Sequence, residues 1–302
     1  MTEVLPKFCI LLTSYNGIKY IDEQINSILK QKKIILDIFI SDDISDDGTS
    51  KYLSDKMKQH KNIFLLKNTK KFNIASKNFY RLIRDVEIVD YDYIALSDQD
   101  DLWDEYKLYE GYKQLIEKKM DCYSSSVQAF WRDGKKKILR TPSNQKKYDY
   151  FFESSGPGCT FIIEKKHFQE MKSFFIDNWN AVNEFDVHDW LIYAFMRSRK
   201  KKWLIDSNFH INYRQHENNQ LGANSGLFGT VKRLKMLKNG WGKKHLNLLT
   251  SLLKTNENKN FVESYLEGKW FFLYFYFFKF GQFRRKLSAN FFLFFIILLN
   301  LY

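Results

Sequence analysis

Cysteine is scarce in this chain of 302 residues, and the cysteines stand far apart. Cys9, Cys122 and Cys159 are odd in number and show no Cys-x-x-Cys spacing, so neither a disulfide framework nor a zinc site is predicted. Buried, reduced thiols in the cytoplasm are the default for such residues. Residues 1–7 also lack the charged-then-apolar pattern of a secretory signal. We therefore expect a cytoplasmic protein.

Two glycine-rich nucleotide-binding patterns are also missing from the sequence. No Gly-x-Gly-x-x-Gly follows the first predicted strand, which disfavours a dinucleotide fold of the dehydrogenase type. No Gly-x-x-x-x-Gly-Lys-Ser/Thr is present, which disfavours a P-loop nucleoside triphosphatase. A bound nucleotide would then be held by carboxylates and a metal ion rather than by a glycine cradle.

No apolar run reaches the ~20 residues that a membrane-spanning helix needs. The two strongest runs, 270–278 and 291–299, lie in a basic segment, 228–302, which carries thirteen Lys and Arg against three Glu, a net charge of +10 out of +13. Lys279 and the run Arg284-Arg285-Lys286 stand between the two apolar runs. This combination favours helices that lie on an anionic membrane surface.

A helical hairpin that packs on the rest of the chain, or that forms an oligomer, is the alternative for this C-terminal segment. A basic nucleic-acid-binding protein is disfavoured, because twelve of the 28 Phe crowd into residues 261–302 instead of being spaced along a polar groove. The segment is expected to be a functional unit separate from residues 1–227.

The first hundred residues alternate between strand and helix patterns. Short apolar runs predict strands, and apolar residues at helical spacing predict helices; the strands are 8–13, 34–40, 63–66 and 93–96, and the helices are 18–29, 52–59 and 78–86. This rhythm predicts an α/β fold with a mostly parallel sheet and helices on both faces. Downstream, helices are predicted at 104–118 and 186–198 and strands at 161–163, 203–205 and 209–213, with a less regular region after 118.

Polar, acidic segments follow three of the predicted strands, at 13–17, 41–49 and 97–101. In open α/β sheets, ligands bind beyond the carboxyl ends of the strands, so these segments are expected to converge. Asp98, Asp100 and Asp101 crowd the end of a buried strand, where like charges repel unless a cation neutralises them. Oxygen ligands of this kind suit Mg²⁺ or Mn²⁺ together with substrate phosphates. Turn and helix-capping chemistry is the alternative for each segment alone.

Two later segments of the chain add candidate ligand-binding residues. The turn Gly156-Pro157-Gly158 allows a close backbone approach, either to a substrate or to another segment. Arg214 and His216 stand side by side at the end of the last predicted strand, where both would suit a diphosphate.

Taken in their order along the chain, these motifs resemble those of bacterial family 2 glycosyltransferases with a GT-A fold. The rhamnosyltransferase-like enzymes of surface-polysaccharide assembly are the most similar group. The resemblance covers roughly residues 7–222, and its most specific strings are Ser97–Trp103 and Tyr213–His216. The other matching segments are 12–16, 20–25, 40–43, 45–49, 77–79, 188–190 and 217–219. One departure is that the family often has a glycine shortly before the Lys77-Asn78-Phe79 match, about where Ile74 stands.

The resemblance implies a role for each matching residue. Asp189 would be the base that deprotonates the acceptor hydroxyl, and Asp100 and His216 would hold the metal. Residues that would bind the nucleotide-sugar are Thr13, Ser14, Tyr15, Asn16, Glu23, Asp43, Lys77, Asp98 and Asp100. Residues that would contact the diphosphate or the acceptor are Asp101, Trp103, His188 and Arg214.

The resemblance implies an inverting transfer of a sugar, with rhamnose as the candidate, from a dTDP- or UDP-linked donor. The acceptor would be lipid-linked or a polysaccharide, and the cofactor Mg²⁺ or Mn²⁺. The charge and the apolar runs of residues 228–302 predict a location on the inner face of the plasma membrane. Residues 1–227 would form the catalytic domain, divided near residue 103 into a nucleotide-sugar half and an acceptor half. The alternatives from the residues are a metal-dependent nucleotidyltransferase or phosphohydrolase, and a non-enzymatic basic protein that binds membrane or nucleic acid.

Overall fold

One mixed sheet organises the protein. The structure is a computed structural model, and it describes residues 4–216 and 235–301. The strands are β1 (Lys7–Ser14), β2 (Ile35–Asp42), β3 (Ile63–Leu66), β4 (Tyr93–Ser97), β5 (Leu102–Trp103), β6 (Cys122–Phe130), β7 (Lys136–Leu139), β8 (Ile162–Glu164) and β9 (Trp203–Arg214). The helices that follow the strands of residues 4–216 are α1 (Ile21–Leu29), α2 (Thr49–Gln59), α3 (Ala75–Asp85), α4 (Lys107–Lys118), α5 (Lys165–Asp177), α6 (Trp179–Asn183) and α7 (His188–Ser198). The C-terminal helices are α8 (Trp241–Leu252), α9 (Lys259–Leu266), α10 (Lys269–Phe278) and α11 (Leu287–Leu298).

The strand order is β3-β2-β1-β4-β8-β6-β9-β5, with β7 paired to β6. The first four strands are parallel, as the alternating strand and helix pattern predicts. Beyond β4 the sheet is mixed, since β8 is antiparallel to both β4 and β6, and β5 is antiparallel to β9. The prediction of a mostly parallel sheet is therefore wrong for the second half, although the α/β class is right.

The polar sequence of strand β6 is one reason why the second half of the sheet was predicted wrongly. It carries Ser124-Ser125-Ser126 where an apolar run would signal a buried strand, yet all three serines are buried. Ser124 accepts a hydrogen bond from the Trp203 indole at 2.9 Å and donates one to the carbonyl of Ser155 at 2.9 Å. Backbone pairing with β7, β8 and β9 stabilises this strand. Its polar side chains can be buried because their hydroxyls form hydrogen bonds inside the core.

Two further elements differ from the sequence prediction. Leu102–Trp103 pairs with β9, and the amide of Asp104 bonds to the carbonyl of His210 at 2.9 Å, so the helix expected from residue 104 begins at Lys107. The two strands expected at 203–205 and 209–213 form the single strand β9, which pairs with β6 through irregular register.

The parallel strands deliver the three acidic segments to one edge of the sheet. Ser14 pairs with Asp42, and Leu12 pairs with Ser97, so the chain leaves β1, β2 and β4 at neighbouring points. The expected convergence of residues 13–17, 41–49 and 97–101 is therefore present, and the candidate site lies at this carboxyl edge.

The core lies on both faces of the sheet. On one face, α1 buries Ile21, Ile25 and Ile28, whose spacing places them on a single helix face. On the other face, α3, α5 and α7 pack in a cluster that also includes side chains of the C-terminal helices.

The C-terminal helices pack closely on the sheet domain formed by residues 4–216. The ring of Phe261 stacks on Phe151 at 4.1 Å between centroids. The guanidinium of Arg285 is buried, with nitrogen atoms 3.8 Å from a carboxylate oxygen of Asp149 and 3.4 Å from one of Glu153. Apolar packing and buried ion pairs therefore join the segment to the sheet domain. The predicted boundary at 227/228 and the motif residues 217–219 lie outside the described residues.

Within residues 4–216 and 235–301, none of the helices combines the length and the apolar character needed to cross a bilayer.

Candidate active site at the carboxyl edge of the sheet

The turn after β1 is held by the acid-rich turn after β4. Tyr15 donates its amide to the Gln99 side chain at 2.8 Å, and the Gln99 amide group donates back to the carbonyl of Tyr15 at 3.0 Å. Asn16, with φ of 47°, donates its amide to Ser45 at 2.8 Å and accepts from the amide of Asp46 at 3.0 Å. The ends of β1, β2 and β4 thus form one hydrogen-bonded rim, in which the Tyr15 side chain is exposed.

The two acids after β2 have different roles. Asp42 is buried and accepts a hydrogen bond from the hydroxyl of Ser14 at 2.7 Å, which joins β1 to β2. Asp43 is also buried, and its two carboxylate oxygens accept from the amides of Phe72 and Asn73. Asp43 therefore shapes the loop before α3, which lies at the same edge. The positive φ of this loop, 63°, falls on Asn73 rather than on Ile74, and asparagine tolerates this conformation.

The remaining nucleotide-sugar candidates lie around this rim. Thr13 is buried, while Lys77 is half-buried in the first turn of α3. Next to it, Asn78 donates to the carbonyl of Ser41 at 2.8 Å and so fixes α3 to the end of β2. The ammonium of Lys71 lies 4.8 Å from the ring centroid of Tyr15, which adds a cation beside the exposed ring.

The acids after β4 form a crowded, largely buried group. Burial, together with the charges of Asp100 and Asp189, raises the pKa of Asp98 to about 7. Burial and the charges of Asp100 and Asp98 raise the pKa of Asp101 well above its usual range. The ligand atoms of Asp98, Asp101 and Cys159 lie within 4.8 Å of one another. A cation placed here would remove the repulsion that raises these pKa values.

Arg214 and His216 close the site from the end of β9. A ring nitrogen of His216, Nε2, lies 2.8 Å from a carboxylate oxygen of Asp100, and the imidazole stacks on Tyr20 at 5.1 Å. The Arg214 guanidinium donates to the carbonyl of Asp100 at 2.9 Å and to the carboxylate of Glu23 at 2.5 Å. Glu23, predicted to bind the nucleotide-sugar, here holds the arginine that braces the acid-rich turn.

The donor set fits a divalent ion such as Mn²⁺ or Mg²⁺. Asp98 and Asp100 offer carboxylate oxygens and His216 offers an imidazole nitrogen, and all three residues keep some exposure at the carboxyl edge. The thiol of Cys159 is unsuited as a ligand because burial raises its pKa well above the usual range, and it stays protonated beside Asp101. Asp100 and His216 are therefore residues of this cluster that could hold a divalent ion.

Asp101 and Trp103 lie on the inner side of this turn. Asp101 is 0% exposed and accepts from the amide of Arg214 at 3.1 Å, and Trp103 is 5% exposed. The ammonium of Lys107 is buried 3.1 Å from the ring centroid of Trp103, and burial lowers its pKa to about 7. These placements favour structural support over contact with the diphosphate or acceptor.

Sequence reasoning missed Gln99, Lys107 and Tyr20. Gln99 lies inside the string 97–103 and Tyr20 inside the matching segment 20–25, so their positions in these motifs were available signals. Lys107 had no signal, because a lysine near the start of a helix is an ordinary surface residue until the fold buries it.

Asp189 and His188 occupy the first turn of α7. Burial raises the pKa of Asp189 to about 7, and one of its carboxylate oxygens, Oδ1, is buried with no hydrogen-bond partner among the described residues. Burial lowers the pKa of His188 to about 3, and its ring stacks on Phe79 at 4.0 Å. Near neutral pH, Asp189 is therefore the better proton acceptor, while the neutral His188 ring forms part of the wall beside it.

The turn Gly156-Pro157-Gly158 packs against this pair. A methyl group built on Gly158 would lie 2.6 Å from Nε2 of His188 and 3.3 Å from Cβ of Asp189. Of the two interpretations open from the sequence, the contact with another chain segment is the one present.

If Asp189 is the base that the sequence predicts, replacing Gly158 by alanine should lower kcat by about 10–10²-fold, because the added methyl would displace His188 and Asp189 and small displacements of reacting groups are costly. Steady-state kinetics and a melting curve check this. Gly134→Ala is the control, since its φ of +83° costs stability but no atom of the described residues lies within 4 Å of the added methyl. A Gly158→Ala enzyme with normal kcat would show that this contact has no effect on the predicted base.

Comparison with known proteins agrees with this geometry. The family model described as "Glycosyl transferase family 2" matches residues 9–175. A dTDP-rhamnosyl transferase, RfbG of Shigella flexneri, is 38% identical over 294 residues, which cover 96% of this chain and 100% of that protein.

Two solved structures share the fold. The crystal structure of S. aureus TarS 1-349 in complex with UDP aligns with a TM-score of 0.58 and 14% identity, over 90% of this chain and 72% of that one. The mannosyltransferase PcManGT from Pyrobaculum calidifontis in complex with GDP-Man and Mn²⁺ aligns with a TM-score of 0.52 and 13% identity, over 99% and 82%. The family and activity predicted from the sequence are thus confirmed: the chain belongs to glycosyl transferase family 2 and is a glycosyltransferase that uses a nucleotide-sugar donor.

Proposed function

We propose that this enzyme transfers rhamnose, with inversion, from dTDP-rhamnose to a hydroxyl of a lipid-linked or polysaccharide acceptor. The observation that carries the proposal is the buried carboxylate oxygen of Asp189, which has no hydrogen-bond partner among residues 4–216 and 235–301 and lies close enough to the acid cluster to raise the pKa of Asp98. The donor is inferred from the name of the relative that matches over its full length. A UDP-linked donor is the second candidate, since TarS has been crystallised with UDP.

The chemistry follows from the positions of the side chains. The rim formed by Tyr15, Asp43 and Asp98 would hold the nucleoside, and Asp100 and His216 would hold a divalent ion at the diphosphate. Such an ion neutralises the charge that develops on the leaving diphosphate, so no acid catalyst is needed there.

Asp189 would then act on the acceptor. Its carboxylate takes the proton of the acceptor hydroxyl while that oxygen attacks the anomeric carbon of the sugar. The bond from this carbon to the diphosphate oxygen breaks as the new bond forms, through an oxocarbenium-like transition state. One base and one displacement give inversion at the anomeric carbon.

The direct test incubates the protein with dTDP-rhamnose, Mn²⁺ or Mg²⁺, and a lipid-linked or short water-soluble acceptor. The expected products are dTDP and a glycoside with inverted anomeric configuration, read by mass spectrometry and NMR. Free rhamnose 1-phosphate or a nucleotidyl product would instead identify a phosphohydrolase or a nucleotidyltransferase. Retained configuration would remove the single-displacement mechanism.

We also propose that the enzyme works on the inner face of the plasma membrane, held there by α10 and α11. On α10, five apolar side chains recur on one helix face and are 60–71% exposed: Trp270, Phe271, Tyr274, Phe277 and Phe278. On α11 and the residue that follows it, side chains with the same spacing are 38–67% exposed: Phe291, Phe292, Phe295, Leu298 and Leu299. The opposite face of each helix is buried in the core.

The charges near these faces differ from the sequence expectation. Arg284 and Arg285 turn inward to Glu153 and Asp149, so they are not part of a cationic rim. Lys279 and Lys286 remain exposed beside the apolar faces. Adjacent apolar faces of this kind mark an interaction surface, and the lysines favour an anionic bilayer as its partner.

The triple variant Trp270→Ser, Phe277→Ser, Phe295→Ser should bind anionic vesicles at least about 10²-fold more weakly, since each buried aromatic contributes ~2 kcal/mol. Co-sedimentation with phosphatidylglycerol vesicles checks this, and wild-type binding should weaken but persist at high salt. Val89→Ser is the control, because Val89 is an exposed apolar residue that belongs to neither α10 nor α11. Absence of vesicle binding, with a stable dimer that the triple variant dissociates, would make these faces an oligomer interface instead.

A further inference from the structure

We propose that His245, on helix α8 of the C-terminal segment, is a positioning residue for the catalytic base. The inference rests on the proposed role of Asp189. The amide of Asp186 donates a hydrogen bond to Nε2 of His245 at 3.2 Å, and Nδ1 of His245 donates to the carbonyl of Trp241 at 2.8 Å. His245 therefore connects the C-terminal segment directly to the turn that precedes α7.

The two hydrogen bonds define the state of the ring. A backbone carbonyl only accepts, so Nδ1 of His245 must carry a proton. A backbone amide only donates, so Nε2 must present its lone pair. His245 is thus neutral in a single tautomer, consistent with a pKa that burial lowers.

The ring is also fixed by its surroundings. His245 is 0% exposed, and its ring centroid lies 4.6 Å from Phe185, 5.9 Å from Trp190 and 4.3 Å from Trp241. The carboxylate of Asp186 lies 3.6 Å from Nε2 and 3.2 Å from the ammonium of Lys244. A buried, stacked ring in a defined tautomer is a rigid acceptor for the Asp186 amide.

The turn before α7 is held from the opposite side as well. The hydroxyl of Tyr80, on α3, donates to the carbonyl of Phe185 at 3.0 Å. Residues 185–187 are therefore held between α3 and α8, immediately before the helical turn that carries Asp189. Without the His245 acceptor, the Asp186 amide loses its partner and this turn gains freedom, which displaces the base without touching the donor site.

The test compares His245→Phe with His245→Gln. Phenylalanine keeps a ring among the aromatic neighbours but offers no acceptor, whereas the glutamine amide oxygen reaches about the position of Nε2. We expect His245→Phe to lower kcat by about 10–10²-fold with the donor KM within about twofold, and His245→Gln to recover most of the loss. The thermal shift produced by dTDP with Mn²⁺ should be the same in both variants.

Controls separate positioning from stability. Thr250→Val removes a buried hydroxyl of the same helix, whose bond goes to the carbonyl of Leu246 at 2.9 Å and not to α7. A kcat loss in His245→Phe no larger than that in Thr250→Val would overturn the inference. If the phenylalanine variant does not fold, His245→Asn replaces it: its side chain is one methylene too short to reach the Asp186 amide, and a kcat equal to that of His245→Gln would overturn the inference.

The role of His245 and the role of Asp189 as the base can be rejected separately. If Asp189→Asn lowers kcat and His245→Phe does not, the positioning role of His245 is wrong and the proposed base stands. If Asp189→Asn leaves kcat unchanged, the assignment of the base is wrong, and the role of His245 is rejected with it.

Discussion

Replacing Asp189 by asparagine should lower kcat by about 10²–10⁴-fold and leave the donor KM within about twofold. A general base acts mainly in the transition state, so its loss appears in kcat rather than in donor affinity. Asparagine has nearly the same shape, so the first turn of α7 and its contact with Gly158 should survive. Steady-state kinetics with dTDP-rhamnose as the varied substrate, together with a melting curve, measure both effects.

The pH dependence provides an independent check of the same residue. Burial raises the pKa of Asp189 to about 7, and only the ionised carboxylate accepts a proton. Below about pH 7, kcat/KM of the wild type should therefore fall about tenfold per pH unit. A divalent ion at Asp100 and His216 would lower the pKa of the neighbouring Asp98, so Asp189 is the group that titrates in this range. In Asp189→Asn the fall below about pH 7 should accordingly be absent.

Glu184→Gln is the matched control, since this exposed carboxylate lies five positions before Asp189 and outside the site. It should retain wild-type kcat. Collapse of donor binding in Asp189→Asn, with little change in kcat at saturating donor, would show that Asp189 is a ligand or a structural cap. His188 would then be the next residue to test.

Replacing Asp100 by alanine should reduce transfer by at least about 10³-fold, because several kcal/mol of charge stabilisation at the diphosphate depend on the metal. The backbone carbonyl of Asp100, which accepts from Arg214, is retained, so the turn after β4 should keep its shape. The wild type should melt at a higher temperature when dTDP and Mn²⁺ are added together, since a ligand of the native state stabilises it. Asp100→Ala should lose this shift even where its activity is too low to measure.

Asp104→Ala is the control for Asp100→Ala. Asp104 is an exposed carboxylate four positions after Asp100, and its substitution should change neither the rate of transfer nor the thermal shift. An Asp100→Ala enzyme that transfers sugar at a near-normal rate with Mn²⁺ present would remove the assignment of Asp100 to the metal. A second variant, His216→Ala, should show a smaller loss of the same kind, because the carboxylates remain.

Much of the first hundred residues is predictable from the sequence, and the reason is local. Strands β1 and β4 are short apolar runs buried on both sides, and parallel strands end at one edge. The pattern of strands and helices therefore suffices to place the acids after β2 and β4 together. The antiparallel half is less predictable, because β6 carries serines whose burial depends on partners from Ser155 and Trp203.

The sequence by itself determined the α/β class, the convergence of the acidic segments and the family, because apolar periodicity and motif strings are local properties of the chain. The tertiary structure decided which groups are buried and which remain open. It places Lys107 behind the acid cluster, turns Arg284 and Arg285 away from solvent, and puts His245 beside the turn before α7. The placements of Arg284, Arg285 and His245 depend on contacts between residues tens to more than a hundred positions apart, and the charge or polarity of a residue does not reveal which distant partner will cover it.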